Sequence, residues 1–159
     1  MTERVRAEDL FFVIKRIGLD WTARMEMRFP GENITGIQVY FLVYILRHHP
    51  QGTYITEVCR EIGVAKSTLS ELVRKLKDKG YLAFEKNPED IRRKRIIPTQ
   101  KLLIRKSQLL ETADRTEAEI FSVLDHQEQI QMYRMEKKIL TQLTRMEDSE
   151  KKKQEVYLP

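Results

Sequence analysis

Residues 55–76 carry two short amphipathic stretches separated by a single glycine: Ile55-Thr-Glu-Val-Cys-Arg-Glu-Ile62, Gly63, then Val64-Ala-Lys-Ser-Thr-Leu-Ser-Glu-Leu-Val-Arg-Lys-Leu76. Two helices joined by a three- to four-residue turn cross steeply, and the crossing requires a turn glycine, a small side chain at the close approach and a few apolar pins. Val58, Ile62 and Val64 supply the pins of the first helix and the turn, Cys59 the small residue, and Leu69, Leu72 and Leu76 the buried stripe of the second helix. Lys66, Ser67, Thr68, Ser70 and Arg74 are then left on the solvent side. Small hydroxyls flanked by cations approach base edges and phosphates closely. The same face carries Glu71, which either accepts from a cytosine amine or faces solvent.

The rest of the chain frames this unit. Leu10, Ile14, Ile17, Trp21 and Met25 recur at helical spacing, predicting a helix from about Glu8 to Phe29 that Pro30 and Gly31 end. Thr35-Gly-Ile-Gln38 is a Thr-x-x-Gln capping box that opens a helix running to about His48. Helices over 55–62 and 66–79 each finish at a glycine, Gly63 and Gly80, where a left-handed closing residue is needed. Residues 81–85 and 94–97 read as two short strands of a hairpin joined by the polar stretch 86–93. After Pro98 and Thr99 the chain returns to helix as far as Asp125, where a second capping box, Asp125-His-Gln-Glu128, restarts a helix to about Met146. A charged tail from Glu147 to Pro159 is expected to fray. The fold class is therefore mainly α with a small β-hairpin.

Charge locates the function. The chain of 159 residues has 29 Lys and Arg against 24 Asp and Glu, a net +5. Twelve basic and seven acidic residues lie between Thr53 and Lys101, so the whole excess sits on the two-helix turn and the hairpin, while the remainder is balanced at seventeen of each. An anionic partner is implied, and a basic turn and hairpin suit nucleic acid better than a membrane surface, which is bound by one long amphipathic face. The only cysteine, Cys59, excludes an internal disulfide framework and a multi-thiolate metal site, and fits a reducing compartment. The run Leu10 to Ile14 is interrupted by Lys15 and Arg16, too short and too charged for a signal peptide or a membrane span. No Ser-His-Asp set, glycine-rich phosphate loop or paired-carboxylate motif stands out, so neither catalysis nor a cofactor is expected.

Three motifs resemble the MarR-type (multiple antibiotic resistance regulator) winged helix-turn-helix family, over roughly residues 8–147. Ile34-Thr-Gly-Ile-Gln38 is similar to its Leu-Thr-x-x-Gln helix start, and Ile62-Gly-Val-Ala-Lys-Ser-Thr-Leu-Ser70 to its Leu-Gly-Val-Ser-x-Ser-Thr-Val-Ser turn. Leu76-Lys-Asp-Lys-Gly-Tyr-Leu82 followed by Asn87-Pro-Glu-Asp-Ile-Arg92 is similar to its Leu-x-x-x-Gly-Leu-Val and Asp-Pro-x-Asp-x-Arg wing. The resemblance implies a dimerisation helix over 1–34, a winged helix-turn-helix over 35–99, dimerisation helices over 100–147 and a charged flexible tail over 148–159. It implies a homodimeric repressor on a pseudo-palindromic operator in double-stranded DNA, released by a small-molecule effector, in the cytoplasm of a bacterial or archaeal cell at the nucleoid. The helix from Lys66 would enter the major groove, with Arg92, Arg93, Lys94 and Arg95 at the wing, Arg92 in the minor groove, and Asp90 steadying the hairpin. A guanidinium suits the negative potential of a narrow minor groove. Ile130, Tyr133, Leu140 and Leu143 fall in register for a dimer seam. Ala65 departs from the family's capping serine, which leaves Thr68 with Glu71 as an alternative start to the recognition helix.

Plainer readings stand beside these. Cys59 is accounted for by packing, and His48 and His49 by the end of their helix, with no metal-ligand spacing around them. Trp21, Arg24, Met25 and Tyr44 are candidates for an effector pocket, although ordinary core packing is the better account of them. A different class of function also remains open at this level: a winged-helix module that docks another protein without reading DNA.

Overall fold

The computed structural model describes residues 2–29 and 33–157, except for the side chains of Asn87, Asp90, Ile91 and Arg92. The order is α1 (Ala7–Met27), α2 (Gly36–His48), α3 (Ile55–Ile62), α4 (Lys66–Asp78), β1 (Leu82–Asn87), β2 (Asp90–Pro98), α5 (Gln100–Ile104), α6 (Lys106–Phe121) and α7 (His126–Tyr157). Residues 1–116 form one compact unit and residues 117–159 a second. Among the described residues, no helix is long and apolar enough to cross a membrane.

In the first unit α2 is the central post. Val39, Phe41, Leu42, Val43, Ile45 and Leu46 are all buried, so this helix is covered on nearly every side. Its capping box forms as the sequence requires: the Thr35 hydroxyl accepts from the Gln38 amide and Gln38 accepts from the Thr35 amide at 3.2 Å. Gln38 is itself buried, and it also accepts from Lys79 Nζ at 2.7 Å, which ties the start of α2 to the end of α4. Gly36 admits the close approach of α1, since a Cβ at this position would fall 2.1 Å from the Thr22 carbonyl oxygen.

In one core with the buried residues of α2 lie Met25, Val58, Leu69, Val73, Leu76, Leu82, Ile96 and Leu102, each completely or almost completely buried. The stripe of α4 is thus Leu69, Val73 and Leu76, with Leu72 only partly buried beside it. Gly63 closes α3 at φ +73°, and Cys59 is a half-buried free thiol packed against the core. The start of α4 is settled too. Lys66 is its first residue and Ala65 its cap position, with no side-chain cap, so the alternative start at Thr68 with Glu71 is not used.

The hairpin is longer than expected. The ladder runs from Leu82↔Pro98 to Lys86↔Lys94 and then slips before Asn87↔Asp90, so that the polar stretch expected as a connection belongs to strands on both sides of Pro88-Glu89. A two-stranded arm needs no buried face near its tip, so charged residues are no obstacle to pairing there, and Arg95 bonds across the strands to Glu85 at 3.0 Å. Thr53 pairs with Ile96 through two backbone hydrogen bonds, which fastens the segment before α3 to the wing.

Beyond the wing, Thr99 caps α5, accepting from the Leu102 amide and donating to the Gly80 carbonyl at 2.6 Å. The single helix expected from there to Asp125 is broken at Arg105 into α5 and α6. In the second unit the Asp125 box forms, with the Glu128 amide donating to Asp125 at 2.9 Å and the Asp125 amide to Glu128 at 3.0 Å. Helix α7 continues well past the expected end near Met146. Glu147 to Tyr157 holds neither Gly nor Pro, and Glu147 pairs with Lys151 one turn on at 2.7 Å, so nothing stops the helix.

Candidate nucleic-acid interface

Helix α4 presents its first turn to solvent. Lys66, Ser67 and Thr68 are exposed and Ser70 is half-buried. With no side-chain cap from Ala65, the first-turn amides of α4 are open to a ligand, and the positive end of the helix dipole lies there.

The wing brings its cations to the same place. Arg93 lies over the Tyr54 ring, 4.3 Å from the centroid, and Lys94 lies 5.6 Å from the centroid of Phe84, which also receives Lys77 at 5.3 Å. Tyr54, Ile55, Thr56, Lys66, Phe84, Arg93 and Lys94 line one hollow of about 310 Å³. Three of the cations expected for a DNA contact therefore converge on one place, with aromatic rings beneath two of them. Arg95 is placed differently, in its ion pair with Glu85. The side chains of Arg92 and Asp90 lie outside the described residues, so their expected roles at the wing tip are not located.

Arg74 is exposed but committed. Its Nε donates to Glu71 at 3.0 Å, Nη2 donates to the same carboxylate, and Nη1 donates to Asp78 at 3.1 Å. The bond from Arg74 holds the Glu71 carboxyl below its usual range, and the same bond raises the guanidinium. The sequence carries a signal for this arrangement beyond the expected solvent-facing Arg74: residues 71, 74 and 78 stand three and four apart on one helix face. Tyr54 and Phe84 were missed, because partners far apart in sequence leave no periodic trace.

The four residues suggested for an effector pocket divide. Met25 is fully buried, Trp21 is half-buried with its ring edge-on to Tyr40 at 5.1 Å, and Arg24 is exposed. The indole Nε1 of Trp21 is buried and has no hydrogen-bond partner among the described residues. Tyr44 turns its hydroxyl to Glu61, whose carboxylate also lies 2.8 Å from His49 Nε2. Burial first, and then the bond to Glu61, push the Tyr44 hydroxyl upward, while the bond from Tyr44 and then that from His49 hold Glu61 low. Among the described residues, no group of three or more His, Cys, Asp or Glu is placed to hold a metal ion.

The segment that contains this arrangement, residues 32–93, matches the sequence model of the MarR family. Over that segment the chain is similar to the MarR family. Solved structures share the MarR-type fold over most of the chain. The transcription regulator MarR of Oenococcus oeni PSU-1 superposes with a TM-score of 0.71 at 20% identity, over 84% of this chain and 99% of that one. MepR of S. aureus, solved as a DNA complex, gives 0.75 at 21% identity over 87% and 99%. The organohalide-sensing regulator RdhR, in its 2,4-dichlorophenol-bound form, gives 0.73 at 15% over 87% and 82%. At these identities the likeness is one of fold. Among curated proteins no sequence matches the chain significantly.

Proposed function

We propose that this chain is a DNA-binding transcription regulator of the MarR type that reads a pseudo-palindromic operator as a homodimer in the cytoplasm, and that it acts as a repressor released by a small molecule. The observation that carries the reading is the convergence of Lys66, Arg93 and Lys94 on one hollow beside the uncapped first turn of α4, within the segment that holds the entire net charge of the chain. A phosphate set there meets cations and open amides together, while the rest of α4 points toward base edges. The MepR complex supports a nucleic acid as the occupant. Arg92 is assigned to the minor groove and Asp90 to the hairpin that carries it.

Apolar surface supports the second copy. In α1, Leu10, Phe11, Phe12, Val13, Ile14 and Leu19 are exposed, as are Tyr133, Leu140 and Leu143 in α7, and soluble monomers rarely leave contiguous apolar patches of this kind uncovered. An effector is supported by the dichlorophenol-bound RdhR and by the unpartnered indole nitrogen of Trp21.

Selection of bound duplexes from a random pool tests the function. A recovered sequence with two-fold symmetry is expected. Failure to enrich any sequence, together with no duplex binding at low salt, would overturn the proposal in favour of a protein-docking module.

A further inference from the structure

The outward strip of α4 holds a feature that a simple cationic reading head would not have. Ser67, Glu71, Arg74 and Asp78 follow one another at steps of four, three and four, along the side of the helix away from Leu69, Val73 and Leu76, and all four are exposed. Two carboxylates on a surface turned to DNA cost affinity through repulsion by phosphates. Both of them grip the arginine between them: Glu71 takes Nε–H and one hydrogen of Nη2, and Asp78 takes one hydrogen of Nη1. Lys75 Nζ stands 4.0 Å from Glu71 on the flank.

A guanidinium has five N–H donors, of which this grip uses three, leaving one on each terminal nitrogen. Those two hydrogens match O6 and N7 of guanine in the major groove. We propose that Glu71 and Asp78 are positioning residues that hold Arg74 as a preset fork for one guanine in each half-site; this rests on the DNA-binding reading above. The clamp restricts the arginine before DNA arrives, so less side-chain freedom is lost on binding. It also offsets the arginine's charge, so Arg74 contributes to selectivity between sequences rather than to general attraction for phosphate.

The test is equilibrium binding of the full chain to its selected duplex and to every single-base variant of one half-site. Wild type, Glu71→Gln, Asp78→Asn and Arg74→Ala are compared. In the wild type, replacing one particular guanine is expected to weaken binding roughly tenfold or more. Arg74→Ala abolishes that preference and leaves the other positions as they were. Glu71→Gln lowers the same preference several-fold while raising affinity for random duplex, since a negative charge has gone, and the opposite signs separate positioning from a loss of folding. Asp78→Asn acts in the same direction more weakly, and serves if the Glu71 variant is unstable. Unchanged discrimination in both carboxylate variants, with loss in Arg74→Ala, would overturn the clamp. A loss in Glu71→Gln at a different base pair would make Glu71 itself the reader and overturn it equally. A wild-type chain that selects no sequence overturns the DNA-binding reading, and this inference with it.

Discussion

Single residues set limits that the elements obey. Gly36 is the sharpest case. Any side chain there meets the Thr22 backbone, so Gly36→Ala forces α1 and α2 apart and is expected to cost about 1–3 kcal/mol, as overpacking does. A fall of roughly 3–10 °C in the thermal midpoint would register it, and an unchanged midpoint would show that the contact relaxes freely. The Tyr44–Glu61–His49 contact gives a pH signature. Glu61 is held below its ordinary range in the folded chain, so its contribution to stability is present above the unfolded carboxyl value near 4.5 and is lost as pH falls through the lower folded value. Thermal unfolding of Glu61→Gln across pH 3 to 6 is expected to show a shallower acid-side decline than the wild type, with the difference confined to that window. Parallel declines would remove Glu61 from the account.

Between elements, what could be read in advance divides by the range of the interaction. Capping boxes at Thr35 and Asp125 and the closing glycines are local patterns, and the structure forms each of them, while the stripe of α4 keeps Leu69 and Leu76 but buries Val73 in place of Leu72. The Thr53–Ile96 bridge, the Arg93–Tyr54 contact and the Lys79–Gln38 tie join residues distant in sequence, so periodicity carries no trace of them. Strand length in the wing was underestimated because charged residues are poor strand formers by composition, whereas pairing across a short turn is decided by register. Of the candidate DNA-contacting cations, Lys66, Arg93 and Lys94 line one hollow, in the segment where net charge and the two-helix turn coincide, whereas Arg95 pairs with Glu85 and the clamp on Arg74 lies in three spacings that form one contact. The wing's own prediction follows from counterion release. Arg92→Ala is expected to weaken duplex binding and to reduce the magnitude of the salt slope by about one. A titration series between 50 and 200 mM salt, the range over which such slopes are commonly resolved, gives the answer, and an identical slope would take Arg92 out of the interface.

For the whole molecule the controlling fact is uncovered apolar surface on α1 and α7. None of the described residues of α7 is buried, yet Ile139, Leu140, Leu143 and Met146 lie along it. A helix of 32 residues dominated by charge gains most of its stability from a partner face, which the proposed second copy would supply. Leu140→Glu with Leu143→Glu is expected to shift the sedimenting species from dimer toward monomer and to lower duplex affinity with it. A double variant that stays dimeric would move the seam elsewhere. The proposed pairing would make the functional unit twice the length of the chain and would convert one recognition helix into two related by a two-fold axis. Hydroxyl-radical footprinting of the full chain on its selected duplex tests that arrangement most directly. A two-fold dimer is expected to give two protected half-sites about 10–10.5 bp apart on one face of the DNA, appearing together as protein is added. Protection of a single half-site by a monomer would contradict it.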